Sequence, residues 1–278
     1  MARWLPTTRS TTTDPGFGRG STTHPTNRSR RTDEERGMDT TLSDRRILVT
    51  GASSGIGEAT ARAIVAAGGQ VALLARRTDR LDVLAEELDG IAVTADVADP
   101  EVTRGGINRA ADELGGLDGL INAAGVLRGG PLATTDPVEW RQLFEVNVLG
   151  VLHATQASIP HLTAADHSDV VNVSSMSGRR LGSTEMAAYA ASKAAVHMLS
   201  EGMRRELQPD GVRVSVVAPG FVRTELFGER DTDLEQRLGK RADAVGLSTD
   251  DVATAIVQVL AAPPHVVHAE VALLNADQ

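Results

Sequence analysis

Cysteine is absent from the 278-residue chain, and aromatic residues are scarce. Without cysteine the chain can form no disulfide, carries no thiol nucleophile and cannot build a cysteine-ligated metal site. Aromatic residues make up 3% of the sequence, and Tyr189 is its single tyrosine. No apolar run approaches the roughly 18 residues that a membrane-spanning helix requires. We therefore expect a protein without thiol chemistry or a membrane span, and the lack of cysteine fits the reducing cytoplasm.

Charge is distributed unevenly along the chain. Residues 1–37 contain seven arginines and four acidic residues, a net of +3, whereas the whole chain has a net charge of −9. The remainder therefore carries −12. Because nucleic-acid binding depends on neutralising phosphates with lysine and arginine, this acidic body argues against a nucleic-acid partner.

Residues 1–40 form an extension with little to bury. This segment is rich in Thr, Ser, Arg, Gly and Pro, and Pro6, Pro15 and Pro25 interrupt any helix. The composition predicts disorder. A targeting peptide is the alternative, although the segment lacks the amphipathic helix and the apolar stretch that such signals use. Met38 is a second candidate for the start of translation.

Strand and helix patterns alternate through residues 41–278, which we predict to be one domain. The predicted strands are 47–49, 70–75, 91–97, 117–123, 169–174, 212–217 and 266–274, and the predicted helices are 58–67, 79–88, 100–114, 137–161, 187–207 and 248–261. Such alternation predicts an α/β, doubly wound fold with a seven-stranded parallel sheet and helices on both faces. Ligands of these sheets bind at the carboxyl ends of the strands. Functional residues are therefore expected just after strands.

The first strand leads into a glycine-rich turn at residues 51–57, where a helix begins. Gly51 can adopt the positive φ of a tight turn, Gly55 lets backbone approach a bound group, and Gly57 lets helix and strand pack closely. The N–H groups at the helix start then face an anion, most simply a pyrophosphate. A glycine-rich connection without a ligand is the alternative on this turn alone.

The end of the second strand bears on the choice between NAD and NADP. An NAD-binding protein usually places Asp or Glu there to hold the ribose hydroxyls, whereas this chain has Ala75 followed by Arg76 and Arg77. Guanidinium groups suit a 2′-phosphate and predict NADP(H), with Arg76 as the main ligand and Arg77 as a helper; a solvated surface pair is the alternative. After the third strand, Asp96 and Val97 are candidates for contact with adenine, and a turn cap is the alternative for Asp96.

The candidate catalytic residues are Tyr189, Lys193 and Ser175. Positions four apart on a helix share a face, so Tyr189 and Lys193 point to the same side. A phenol has a pKa near 10, and a nearby positive charge is expected to lower that pKa toward the useful range. Ser175 ends the fifth predicted strand, from which its hydroxyl can reach the same pocket. An aromatic residue packed beside a solvated lysine is the alternative for Tyr-x-x-x-Lys alone.

Together these motifs resemble those of the short-chain dehydrogenase/reductase family, over roughly residues 45–278. They are Thr50-Gly51-x-x-x-Gly55-x-Gly57, Asn122-Ala123-Ala124-Gly125, Asn147, Ser175, Tyr189-x-x-x-Lys193 and Pro219-Gly220. The resemblance implies a Rossmann-fold, NAD(P)-dependent oxidoreductase that acts on CH–OH groups as a homodimer or homotetramer. It is closest in pattern to bacterial, NADP-preferring members that act on small alcohols and hydroxy acids.

The resemblance also implies a role for each site residue. Tyr189 would be the general acid/base, Ser175 the carbonyl polariser, Lys193 the ribose ligand and pKa modulator, and Asn147 the support of a proton-relay water. No metal is implied. The implied cofactor contacts are Gly51, Ser53, Ser54, Gly55, Ile56, Gly57, Arg76, Arg77, Asp96, Val97, Asn122, Ala123, Gly125, Tyr189, Lys193, Pro219, Gly220, Val222 and Thr224.

Two departures from the family pattern accompany the resemblance. Ala123 replaces a second asparagine, which removes an amide that helps to hold the central strands. The segment from Ser175 to Tyr189 is one residue longer than usual, which leaves Ser174 and Ser177 as alternative serines.

The predicted function is NADP(H)-dependent interconversion of a small alcohol or hydroxy acid and its carbonyl form. A non-catalytic nucleotide-binding regulator and a lyase or epimerase on the same fold are the alternatives. Val126, Leu127, Arg179, Arg180 and residues 221–227 are expected to line the substrate pocket.

Overall fold

The computed structural model describes residues 41–227 and 232–277. The predicted disordered extension, residues 1–40, lies outside the described residues. Seven strands form one parallel sheet of order β3-β2-β1-β4-β5-β6-β7. They are β1 Arg46–Thr50, β2 Gln70–Ala75, β3 Ile91–Thr94, β4 Gly119–Asn122, β5 Ser168–Val173, β6 Val212–Pro219 and β7 Glu270–Leu273. The strand order changes direction between β1 and β4, which is where such sheets bind ligands.

Helices cover both faces of the sheet, as the doubly wound fold predicts. They are α1 Gly55–Ala66, α2 Thr78–Leu88, α3 Pro100–Leu114, α4 Pro137–Phe144, α5 Gly150–Leu162, α6 Ala187–Leu207, α7 Asp233–Val245 and α8 Thr249–Leu260. Side chains alternate across a strand, so Ile47 and Val49 pack with α1, α2 and α8, while Leu48 packs with α3, α5 and α6. Both faces of β1 are thus buried, which explains its uninterrupted apolar run.

The prediction of a single long helix over residues 137–161 is wrong in one respect. A π-helical turn, Glu145–Leu149, separates α4 from α5 and contains Asn147. Single π turns inside helices are frequent at functional sites, because the extra residue redirects one side chain. Here Asn147 is fully buried and faces the segment that follows β4.

The last strand is shorter than predicted, and one helix lies where none was predicted. β7 begins at Glu270 rather than at residue 266. The Arg213 guanidinium on β6 donates to the carbonyl oxygens of Ala262, Pro263 and Val266 at 2.8–2.9 Å. The Val266 carbonyl oxygen is thus bonded to a side chain rather than to a neighbouring strand.

Helix α7 was missed although its sequence carries a start signal. Thr232 Oγ1 accepts from the Glu235 N–H at 3.2 Å, and the Glu235 carboxylate accepts from Thr232 N in return. This is the capping box that a Thr-x-x-Glu sequence predicts. Leu234, Leu238 and Ala242 follow at helical spacing and turn the apolar face of α7 inward.

A buried ionic network ties the amino-terminal ends of the central strands together. Asp169 on β5 accepts from Arg213 at 2.8 and 2.9 Å and from Arg45 at 2.8 Å. Arg45 also donates to Asp118 at 2.8 Å. Asp169 is 1% exposed and Arg213 6%. Each of these charges depends on its partners, because water does not reach them.

Candidate active site and cofactor cleft

A cleft of about 860 Å³ runs along the carboxyl ends of the strands. Its volume lies in the range of ligand pockets, about 300–1,000 Å³. Of the predicted site residues it is lined by Gly51, Ser53, Ser54, Gly55, Ile56, Gly57, Arg76, Arg77, Asp96, Val97, Ala123, Gly125, Ser175, Tyr189, Lys193, Pro219, Gly220, Val222 and Thr224. The tertiary structure thus brings together residues separated by up to about 170 positions. Asn122 and Asn147 are buried behind the cleft and do not line it.

The glycine turn has the backbone geometry expected from the sequence. Gly51 has a φ of +68°, in the left-handed region that glycine tolerates. A Cβ at Gly57 would lie 2.4 Å from the Gly51 carbonyl oxygen, so no side chain fits there. Ser54, the N-cap of α1, makes no side-chain hydrogen bond to the first turn. The start of α1 therefore presents its N–H groups at the cleft, which fits the pyrophosphate of a dinucleotide.

Arg77 is held directly against this turn. Its Nε donates to Ser53 Oγ at 3.1 Å, and its Nη2 donates to Ser54 Oγ at 2.6 Å. Its Nη1 lies 3.0 Å from Glu225 Oε2. The Arg76 side chain is 66% exposed, compared with 40% for Arg77. The sequence favoured Arg76 as the main phosphate ligand, whereas the contacts place Arg77 closer to the glycine turn.

Asp96, the second residue after β3, caps a turn with its side chain. Its Oδ1 accepts from the Ala98 N–H at 3.0 Å, and its Oδ2 lies 3.7 Å from Arg76 Nη1. The turn-cap alternative for Asp96 is thus observed, and the residue lines the cleft as well.

Tyr189 and Lys193 project from one face of α6 into the cleft. Lys193 Nζ lies 6.0 Å from the centroid of the Tyr189 ring and donates to the Val173 carbonyl oxygen at 3.0 Å. The Ser175 hydroxyl lies close enough to the Tyr189 phenol to lower its pKa. The Ser174 hydroxyl instead donates to the Lys193 carbonyl oxygen at 3.0 Å. Among the neighbouring serines, Ser175 is therefore the one whose hydroxyl meets the phenol.

The titration of Tyr189 and Lys193 differs from the sequence-based expectation. Burial raises the pKa of Tyr189 to about 12, and the Ser175 hydrogen bond lowers it only in part. Burial also lowers the pKa of Lys193 to about 8. The expected lowering of the Tyr189 pKa by Lys193 is therefore not observed. The physical reason is desolvation, which disfavours the charged form of both groups when they are removed from water.

Asn147 acts on the cleft through Val126. Its Oδ1 accepts from Val126 N at 2.8 Å, and its Nδ2 donates to Val126 O at 2.9 Å and to Ser192 Oγ at 3.1 Å. Both amide hydrogens are used within the protein. The side chain thus fixes the segment after β4 to α6. These side-chain contacts do not support the predicted role of Asn147 in holding a relay water.

Asn122 holds strands rather than reaching the cleft. Its Nδ2 donates to Asn172 Oδ1 on β5 at 2.8 Å and to Thr155 Oγ1 on α5 at 3.1 Å. Next to it, Thr50 Oγ1 accepts from the Ala123 N–H at 3.1 Å. Thr50 therefore joins β1 to β4 at the point where the second family asparagine is missing.

No cluster of three or more histidine or acidic side chains is arranged to hold a metal within residues 41–227 and 232–277. None of the helices in this part of the chain is long and apolar enough to cross a membrane.

Comparison with known proteins decides the family. The sequence profile described as short chain dehydrogenase matches residues 45–235. The chain belongs to the short-chain dehydrogenase/reductase family. It is accordingly an NAD(P)-dependent oxidoreductase in class, which agrees with the Rossmann sheet and with the cleft at its switch point.

The curated relatives differ in length: one is much longer than the matched segment, and others are matched over nearly their whole length. Glycine betaine reductase of Emericella nidulans is 36% identical over 243 residues, which is 85% of this chain but 19% of that relative. The chain thus spans about a fifth of that protein. An uncharacterized oxidoreductase of Staphylococcus aureus strain N315 is 33% identical over 230 residues, 82% of this chain and 95% of the relative.

Solved structures of similar proteins share the fold. A short-chain dehydrogenase from Burkholderia cenocepacia in complex with NADP has a TM-score of 0.75 and 32% identity, and covers 84% of this chain and 98% of its own. A gluconate 5-dehydrogenase from the same organism, in complex with NADP and tartrate, has a TM-score of 0.76 and 29% identity, with 86% and 97% covered.

Sequence reasoning missed the cleft residues that α7 supplies. Arg237, Leu238 and Arg241 line the cleft. Leu234 packs in the same apolar cluster as Tyr189. The capping box at Thr232 is the signal that could have revealed this helix, although no local pattern shows which part of the sheet it packs against.

Proposed function

We propose that the protein is an NADP(H)-dependent oxidoreductase that interconverts a small alcohol or hydroxy acid and its carbonyl form. The observation that carries this proposal is the meeting of Tyr189, Ser175 and Lys193 at one end of the dinucleotide-sized cleft. A protein that only binds nucleotide has no need of a buried phenol beside a buried serine hydroxyl.

Ser175 and Tyr189 have different roles at the substrate oxygen. Ser175 donates a hydrogen bond to that oxygen, and Tyr189 transfers a proton to it in reduction or removes one in oxidation. With a pKa raised to about 12, the phenol is protonated at neutral pH and ready to donate. Hydride transfer is the chemistry that a nicotinamide held in this cleft would supply. Lys193, one helical turn from Tyr189, would bind a ribose hydroxyl of the cofactor.

Replacing Tyr189 by phenylalanine tests this mechanism. Tyr189→Phe keeps the buried ring and removes the proton donor, so NADPH-dependent reduction of a panel of carbonyl compounds should fall by about 10²- to 10⁴-fold. The dissociation constant for NADPH, measured by fluorescence titration, should change little. A variant with near wild-type turnover would show that Tyr189 is not the acid/base.

The preference for NADP(H) is supported by the cationic end of the cleft. Ala75 stands where an acidic residue would repel a 2′-phosphate, and Arg77 lies beside the glycine turn. A charge-assisted hydrogen bond contributes about 1.5–3 kcal/mol, so losing one should weaken binding by about tenfold to a hundredfold. Arg77→Gln should therefore weaken NADPH binding by that factor and spare NADH. Arg76→Gln is the matched control and should have the smaller effect, and equal losses for both cofactors in Arg77→Gln would contradict the assignment.

A hydroxy acid as substrate is supported by arginines at the Tyr189 end. Arg180 and Arg241 line the cleft, and neither guanidinium has a carboxylate partner within the described residues. The acidic residues among the described lining residues, Asp96 and Glu225, both pair with arginines after β2. Unneutralised positive charge in an otherwise acidic protein concentrates anions. The tartrate complex of the gluconate 5-dehydrogenase is consistent with this chemistry.

Assembly into a homodimer or homotetramer in the cytoplasm belongs to the same proposal. Phe144, Leu149 and Met198 are exposed on α4, the π turn and α6. Apolar side chains of this size are typical of surfaces that a second subunit covers. Light scattering in solution measures the assembly directly.

A further inference from the structure

Glu225 places a carboxylate at the cationic end of the cleft. It lies in the short helical turn Glu225–Phe227, which follows β6 and Thr224. Its Oε2 is 3.0 Å from Arg77 Nη1, and both of its oxygens lie 2.9 Å from Arg80 Nη1. The two arginines hold the pKa of Glu225 below its ordinary value, so the group is ionised at neutral pH.

Arg77 thus has two kinds of partner. Its Nε and Nη2 donate to the serines of the glycine turn, and these bonds keep the guanidinium at the cofactor side of the cleft. Its Nη1 donates to Glu225 instead. This nitrogen makes no bond to the glycine turn, so it is the part of Arg77 that a 2′-phosphate would bind, and Glu225 occupies it.

Arg80 affects how Glu225 and a 2′-phosphate would compete for Arg77. It contacts both oxygens of Glu225, whereas Arg77 contacts one. A phosphate monoester carries a charge between −1.5 and −2 at neutral pH, so it outcompetes a single carboxylate for Arg77. Glu225 then keeps Arg80 as partner and remains near the phosphate, where like charges repel.

We propose that Glu225 is a specificity-determining residue that competes with the 2′-phosphate of NADP(H) for Arg77. Glu225 thereby lowers the ratio of the affinity for NADP(H) to the affinity for NAD(H). The inference rests on the proposed function, because it takes the cleft to bind a nicotinamide dinucleotide.

The substitution Glu225→Gln tests the proposal through binding alone. It removes the charge from a side chain that is 57% exposed, so folding should be unaffected. The dissociation constants for NADPH and NADH are measured by fluorescence titration, and those for adenosine 2′,5′-bisphosphate and 5′-AMP by calorimetry. NADPH and the bisphosphate should bind about three- to tenfold more tightly, because an exposed charge near a dianion has an effect of that size. NADH and 5′-AMP should change less than about twofold.

Two further variants separate this effect from general changes in charge. Glu87→Gln breaks the exposed pair with Arg62, away from the cleft, and should leave all four constants unchanged. In an Arg77→Gln background, the gain that Glu225→Gln gives to 2′-phosphate binding should be smaller, since the contested cation is gone and only the repulsion between the two anions is relieved.

Each result of these binding measurements either supports or overturns the proposed role of Glu225. An equal change for phosphorylated and unphosphorylated ligands, no change, or weaker NADPH binding in Glu225→Gln overturns the proposal. Full persistence of the effect without Arg77 overturns it as well. A wild-type protein that prefers NADH contradicts the proposed cofactor preference, but the shift in the ratio of constants still tests Glu225. Failure of all four ligands to bind overturns both.

Discussion

Lys193→Met should stabilise the protein at neutral pH, although it removes a residue of the proposed site. Lys193 is buried, and burial lowers its pKa from 10.5 to about 8. This difference corresponds to about 3 kcal/mol that the folded state loses when the amine is charged. Methionine fills a similar volume without a charge. It leaves the Val173 carbonyl oxygen without its lysine donor, which costs about 1 kcal/mol.

The pH dependence of this gain has a definite sign. Below pH 8 the lysine is protonated in both the folded and the unfolded protein, so the full penalty applies. Between pH 8 and 10.5 the folded protein has released the proton and the unfolded chain still binds it, so wild-type stability rises with pH relative to the variant. Above pH 10.5 the penalty is gone. The net gain of about 2 kcal/mol at pH 7 should therefore vanish and reverse in sign as the pH passes through this window.

Thermal unfolding followed by circular dichroism, without cofactor, provides the measurement. For a domain of this size, 1 kcal/mol shifts Tm by about 2–4 °C, so Lys193→Met should raise Tm by about 4–8 °C at pH 7. Lys240→Met on the exposed surface of α7 is the matched control and should change Tm by less than about 2 °C. A variant less stable than wild type at pH 7, or a gain that does not depend on pH, would refute the reasoning.

Three other substitutions test the substrate end of the cleft and the sheet. Arg180→Gln and Arg241→Gln should each raise KM about tenfold or more for carboxylate-bearing carbonyl substrates and leave KM for neutral ketones unchanged, since a charge-assisted bond is worth about 1.5–3 kcal/mol. Equal changes for both substrate classes would contradict an anionic substrate. Asp169→Asn leaves the buried Arg213 without its counter-charge and should cost about 3–5 kcal/mol, a fall in Tm of about 6–20 °C. Glu87→Gln, in an exposed ion pair, should shift Tm by at most a few degrees, and a similarly small shift in Asp169→Asn would mean that Arg213 is satisfied by carbonyl groups alone.

Much of the fold follows from local patterns in the sequence. The apolar runs of β1 and β2, the Asp-Pro starts of α3 and α4 and the glycine turn all depend on neighbours within a few residues. Asp99 and Asp136 accept hydrogen bonds from the first N–H groups of their helices, as N-cap residues do. The pair formed by Tyr189 and Lys193 is likewise local, because helical spacing alone puts both on one face.

Contacts between distant segments could not be predicted in this way. Arg213 binds carbonyl oxygens about 50 residues away, in the segment before β7, and that strand begins later than predicted. The π turn aligns Asn147 with Val126, a partner on another segment. Helix α7 carries a local start signal, but its position over the cleft depends on apolar contacts with residues around Tyr189.

The sequence by itself determined the alternation of strands and helices, the glycine turn and the residue types of the site, because each depends on short-range sterics and spacing. Only the tertiary structure decided that Arg77 rather than Arg76 lies against the turn, that Ser175 rather than Ser174 meets the phenol, and that the pKa of Tyr189 rises. Those outcomes depend on burial and on partners brought together by folding, and both desolvation and hydrogen bonding are set by the surrounding atoms rather than by neighbours in the chain.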